Sequence, residues 1–230
     1  MSGITNIPIN LREYFANLKI LSGKDTLDAY KLYNQSINVV KETTKFFIDK
    51  NNLRKAVEVV GKNWINILCL EVIEIFMQYK VKNDSDTLKR YKLILKNVKK
   101  NIDEPSNETK LALAFASFEA SIWGEAQNYL EKIKQDEWDS RVLILYKKIS
   151  EKTKKIKYPV IKNDILPEPK WQCRSCNYQY TMWEFLCTNC SSLGTITWQK
   201  SKVKDTNNED FYKEFLQNPL RHLPKMQRKD

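Results

Sequence analysis

The sequence predicts a mainly α-helical chain in which stacked helix pairs are followed by a small metal-ordered module. Three observations carry that expectation. Glycine and proline are scarce, five and seven among 230 residues, which disfavours a turn-rich β architecture. Apolar residues recur at helical spacing through most of the chain. Four of the five cysteines crowd into one stretch near the C-terminus, WQCRSCNYQYTMWEFLCTNCSSLGTITW, from Trp171 to Trp198.

Taken in order, the apolar periodicity predicts helices over 10–21, 25–37, 39–50, 52–63, 65–79, 85–101, 108–121, 123–135 and 140–155. Breakers separate them at Ser22-Gly23, Asn51, Asn83-Asp84 and Pro105-Ser106. Within this run, three segments align: NNLRKAVEVV from Asn51, DTLKRYKLIL from Asp86 and SIWGEAQNYL from Ser121. Their large apolar anchors are Leu53, Leu88 and Trp123, which stand 35 residues apart in both intervals.

A period near 34 residues with two helices per unit is the pattern of a tetratricopeptide-like solenoid. Two amphipathic helices cannot bury their apolar stripes alone, and stacking neighbours makes the core continuous. In the third unit, Leu113 and Ala114 provide the close approach on the first helix. Trp123, Ala126 and Leu130 line the inner stripe of the second, with Glu125 facing solvent. The first unit matches through Leu53, Ala56 and Val60. The middle unit departs, with Tyr91 in place of the small residue.

The cysteines fall as Cys173-x2-Cys176-x10-Cys187-x2-Cys190. Two Cys-x-x-Cys pairs this close fold as two knuckles and direct four thiolates at one tetrahedral ion. A disulfide pair would need an oxidising compartment, and a redox Cys-x-x-Cys would need a βαβ context that this segment lacks. The expected module is therefore of the zinc-ribbon or rubredoxin knuckle type, with zinc as the metal and iron as the alternative. Rubredoxin-type knuckles usually place glycine after the second cysteine, where this chain has Asn177 and Ser191. About thirty residues are too few for a hydrophobic core to suffice, so the metal is expected to be structural, with Trp171, Trp183 and Trp198 forming an apolar plate.

The resulting layout is an N-terminal helical segment (1–38), helical repeats (39–156), a linker with three prolines (157–170), the four-Cys module (171–199) and a basic polar tail expected to be disordered (200–230). The formal charge of +11 reads either as a footprint for nucleic acid or as the lysine bias of an AT-rich coding sequence. Only seven of the 39 basic residues are Arg, the better reader of bases, so nucleic acid is not the expected partner. The N-terminus has no signal-peptide pattern. The most apolar run, 64–77, is too short to span a bilayer, carries Glu71 and Glu74, and reads as a buried helix. Cys69 within it reads as a core residue, and the single histidine, His222, has no partner pattern. No Ser-His-Asp set, phosphate loop or carboxylate pair appears, so no enzyme is expected.

Tetratricopeptide-like helices ending in W-x-C-x2-C-x6-W-x3-C-x2-C-x7-W resemble the C-terminal part of the bacterial HemY family, to which the envelope regulator LapB is related. The resemblance covers roughly residues 35–198. It is most specific in LALAFASFEASIWGEAQNYLEKI, SRVLILYKKISE and the cysteine block, with LRKAVEVVGKNW as a repeat-joining segment. It implies a metal module of the rubredoxin kind and an association with late steps of haem biosynthesis, without a catalytic motif to carry over. HemY-like proteins begin with two transmembrane helices, and this sequence lacks that anchor. A cytoplasmic chain is therefore expected, with inner-membrane association implied by the resemblance alone.

The functional expectation is a non-enzymatic scaffold that binds a protein partner in the concave groove of its repeats. Lys41 and Lys45 in the first unit, and Leu111, Phe115 and Phe118 in the third, are the groove candidates. The alternative is a nucleic-acid-binding zinc ribbon using Arg174, Tyr178, Tyr180 and the basic flanks at 152–170 and 200–204.

Overall fold

A computed structural model describes residues 9–21, 25–34, 36–62, 70–101, 105–153, 165–181, 184 and 186–199. Among these the chain is mainly helical, with a small antiparallel sheet at its C-terminal end. Helices α1 (Ile9–Leu21) and α2 (Thr26–Leu32) pack on each other and on α3 (Ile37–Asp49). The helix expected over 25–37 stops early: Tyr33 is extended and Ser36 is the extended N-cap of α3. The buried Ser36 hydroxyl donates to Asn17 Oδ1 at 3.3 Å, which fixes the corner between the helices.

Beyond that corner the helices form two layers. In one, α3, α5 (Leu70–Gln78), α7 (Asn107–Glu119) and α9 (Ser140–Thr153) each pack on the next. In the other, α4 (Leu53–Lys62) packs on α3 and α6, α6 (Asp84–Asn101) on α5, and α8 (Trp123–Glu131) on α7 and α9. The three aligned segments open or lie within the helices of this second layer. Ala56, Tyr91 and Ala126 occupy equivalent buried positions, while Leu53, Leu88 and Trp123 are half-buried against the same core.

The first and third pairs turn in the same way. Asn51 (φ 54°) and Ser121 (φ 60°) take the left-handed conformation after α3 and α7. Asn52 N–H then donates to Phe47 O at 2.8 Å and Ile122 N–H to Ser117 O at 2.9 Å, the six-to-one bond that satisfies a last-turn carbonyl. The middle pair differs. Lys80 (φ 50°) follows α5, but α6 begins at Asp84, so Leu88 lies inside its helix rather than at its start. Arg90, only 2% exposed, closes this turn instead. Its guanidinium donates to the carbonyls of Phe76 (2.7 Å) and Tyr79 (2.9 Å) and pairs with Asp86 at 3.0 Å.

Tyr91, large where a small residue was expected, is accommodated by polar contacts. Its hydroxyl donates to the Glu125 carboxylate and accepts from Ser117 Oγ at 3.0 Å, tying α6 to α7 and α8. Glu125 is exposed, as expected, yet it is bonded rather than free. Gly61 marks where α4 and α6 approach closely, since a Cβ there would overlap the Asn97 side chain.

The helix expected over 123–135 ends at Glu131 and is followed by a 3-10 turn, Gln135–Glu137. Trp138 comes next and is buried, its Nε1 donating to Ile133 O at 2.9 Å and its ring 5.2 Å from that of Tyr146. Arg141 in the first turn of α9 grips Glu108 of α7 through both nitrogens, at 2.9 and 2.8 Å, and Asp139 at 2.7 Å. Glu108 also accepts the N–H of Leu70, the first residue of α5. One carboxylate thus joins the starts of three stacked helices.

No helix among the described residues is long and apolar enough to cross a membrane. Of the apolar run at 64–77, the part within α5 buries Val72, Ile73, Phe76 and Met77, whereas Cys69 lies outside the described residues. The first part of the predicted linker and the tail from 200 onward, with His222, also lie outside them. Residues 165–169 run along the start of α9, where Leu166 forms a parallel bridge with Asp139. They lead into strand β1 (Lys170–Cys173), the middle strand of an antiparallel sheet with β2 (Gln179–Tyr180) and β3 (Ile196–Gln199). In its register Trp171 pairs with Trp198 and Cys173 with Ile196.

Candidate metal centre

Each Cys-x-x-Cys pair makes a tight turn for local reasons. Asn177 N–H donates to Cys173 O at 2.8 Å and Ser191 N–H to Cys187 O at 2.7 Å. The residue after each second cysteine, Asn177 (φ 62°) or Ser191 (φ 56°), is left-handed. These are the two positions where the sequence lacks the usual glycine, and the knuckle geometry forms without it. Asn takes this conformation at small cost and Ser at more.

The two knuckles face one another. Cys173 Sγ lies 3.7 Å from Cys190 Sγ, and Cys176 Sγ 3.5 Å from Cys187 Sγ. All four sulfurs lie within 4.8 Å of one another. Four sulfurs held about 2.3 Å from a tetrahedral ion stand about 3.8 Å apart, so the spacing is that of a coordination shell. A disulfide would need about 2.05 Å. The four cysteines are free thiols arranged so that they can hold a metal ion such as zinc or iron. Cys173 and Cys187, the first of each pair, are buried, while Cys176 is half-buried and Cys190 exposed.

Donors converge on the sulfurs. Thr195 Oγ1 and Ser192 Oγ lie 3.1 and 3.4 Å from Cys173 Sγ, Ser192 Oγ is 2.9 Å from Cys190 Sγ, and Tyr180 donates to Cys187 Sγ at 3.1 Å. Desolvation pushes the Cys173 thiol up, but the Ser192 and Thr195 hydroxyls and the N–H groups of Cys176 and Ser175 outweigh it and bring the pKa down to about 5. Cys187 is likewise lowered: desolvation opposes the change, while Tyr180 and the N–H groups of Cys190 and Asn189 favour the thiolate. Cys176 moves the other way, to about 11. Asn189 and the Tyr178 N–H act to lower it, but desolvation and its neighbours Cys187 and Cys190 prevail. A set of thiols this close does not ionise completely by itself, and a divalent cation removes that obstacle.

The spacing rule found the four cysteines but not Ser192 and Thr195. The available signal was a hydroxyl residue two and five positions after Cys190. Tyr180, one of the residues of the nucleic-acid alternative, turns its hydroxyl to a sulfur. Trp171 in β1 is buried, the backbone of Trp198 pairs with it in the sheet, and Trp183 lies outside the described residues. Tyr178 stays half exposed, its ring 5.1 Å from that of Tyr180.

The groove candidates separate from one another. Lys41 is half-buried and paired with Glu71 at 2.8 Å, and Lys45 with Glu42 at 2.7 Å. Leu111 and Phe115 are 2% and 5% exposed, so both are packed in the core, Leu111 reaching the surface only at the small cleft beside the start of α9. Phe118, one turn beyond Phe115, is half-buried against that core. The physical reason is that α7 is enclosed by α5, α8 and α9, which leaves little of its circumference free. The sequence matches no protein-family model and no curated protein.

Proposed function

We propose that this protein is a non-enzymatic scaffold: a tetratricopeptide-like solenoid closed at one end by a structural zinc module, binding a protein partner along its first-layer helices. The observation that supports this reading most is the four-sulfur cluster with inward donors. Four protein ligands fill a tetrahedral shell and leave no position for a substrate, so the metal holds a shape. Zinc is the proposed ion and iron the alternative. The alternation of α3, α5, α7 and α9 with α4, α6 and α8 supports the solenoid. The HemY-type assignment is part of the proposal and rests on sequence resemblance alone, as does the connection to late haem biosynthesis and the inner membrane.

With Leu111 and Phe115 enclosed, the proposed partner surface reduces to Lys41, Lys45 and Phe118 among the groove candidates. The test is affinity capture from native cells with the intact chain as bait. A chain with all four cysteines replaced by serine is the control. A specific partner retained by the intact chain supports a scaffold whose module matters. Equal capture by both baits removes the module from the binding role. The metal is tested separately by elemental analysis, where about one zinc per chain is expected. Replacing Cys173 and Cys190 together with serine should release it, and full retention by that variant would overturn the four-thiolate centre.

A further inference from the structure

The cysteine centre and the helices meet through a strap of five residues, 165–169. Leu166 bridges Asp139, and its N–H donates to Trp138 O at 2.8 Å. Ser140, the first residue of α9, donates its hydroxyl to the Glu168 carboxylate, and Pro169 is buried. Cys173 stands four residues beyond Pro169, and it shares one continuous apolar core with Trp171, Leu111 and Val142. The strap also forms one wall of a small cleft, in which Leu166, Pro167 and Pro169 face Leu111, Val142 and Arg141.

One backbone bond, one side-chain bond, the burial of Pro169 and the partial burial of Ile165 are a modest hold for five ordered residues, because ordering each residue costs more than a typical net hydrogen bond returns. The strap therefore depends on the anchor that follows it. That anchor is β1, which pairs with β2 and β3 and carries Cys173 into the four-sulfur cluster. The two knuckles are joined directly by few bonds, among them Arg174 N–H to Thr195 O and Thr188 N–H to the Tyr180 hydroxyl, both at 2.9 Å, and a module of this size relies on its ion to hold the four sulfurs together.

We propose that metal binding at the four cysteines seats the strap on α9 and so builds the cleft wall, making the centre an allosteric control of that cleft. This inference rests on the four cysteines being a metal centre. Coupling between sites is reciprocal, so a strap that cannot seat must weaken metal binding by the factor that metal loss weakens seating.

The experiment uses the full chain, zinc-loaded or stripped by a chelator under reducing conditions, with hydrogen exchange read residue by residue. Stripping should speed exchange at Leu166 and in the first turn of α9 by about tenfold or more, with α3 and α4 unchanged. Conversely, Leu166→Ser with Glu168→Ala keeps every cysteine. It should still reach one zinc per chain at saturation while its zinc affinity falls about tenfold, within the usual range of allosteric coupling. Far-UV circular dichroism confirms that the variant is folded. Unchanged protection on stripping, or unchanged affinity in the strap variant, overturns the coupling even when zinc binds at one per chain. Zinc well below one per wild-type chain overturns the metal reading and the coupling together, and the elemental measurement shows which failure has occurred.

Discussion

Arg90 shows how one side chain can replace a turn motif. All three helix pairs turn at a left-handed residue, but where the first and third add a six-to-one backbone bond, the middle pair has a buried guanidinium on the carbonyls of Phe76 and Tyr79 at the end of α5. Removing it leaves Asp86 and those carbonyls without their donor. Arg90→Leu should therefore destabilise the protein by about 3–5 kcal/mol in chemical denaturation. Arg90→Lys keeps the charge but not the fork, and should fall between that variant and wild type. Glu74 acts in the opposite sense. Burial raises its pKa first, and the charge of Glu71 adds to this, while Lys148 and Lys41 oppose it. A carboxyl raised in the fold takes up a proton more readily there than in the unfolded chain. Its contribution is therefore favourable at low pH and lost as pH rises through the folded pKa. Glu74→Gln should raise the thermal midpoint at pH 7, and the gain should vanish near about pH 4, where the unfolded carboxyl also protonates. A gain of equal size at both pH values would contradict this account.

At the scale of the helices, the decisive contacts are the close approaches. Ala126 is fully buried where α8 meets α7, and Gly61 is buried where α4 meets α6. Ala126→Phe should overpack its site and cost about 1–3 kcal/mol. Gly61→Ala tests the register of the second layer against helix propensity. An unconstrained helical glycine gains about 1 kcal/mol on becoming alanine. Here the new methyl meets Asn97, so a loss of stability is expected. A stabilised Gly61→Ala protein would mean that the Asn97 side chain turns aside to admit the methyl. Glu125→Phe, harmless on a merely solvated face, should instead be costly because it strips Tyr91 of its acceptor.

Across the whole molecule, the division between what the sequence determined and what the fold decided follows the range of the physics. Helices and knuckles arise from neighbours three to five residues apart, so apolar period, Asn51 and the Cys-x-x-Cys spacings were enough to predict most helices and all four sulfurs. The same local logic anticipated the buried Ala56, Val60, Ala126 and Leu130. Burial around a helix is not local. Whether Leu111 and Phe115 face a groove or the core depends on α5, α8 and α9 closing around α7, and no spacing within α7 records that. The ionic tie of Glu108 to Arg141 spans 33 positions, and the strap's hold on Asp139 spans 27. The hydroxyls of Ser192 and Thr195 reach Cys173 only after the second knuckle has turned back on the first. Contacts between segments far apart in the chain exist only once the intervening helices have packed, so tertiary structure alone decided them.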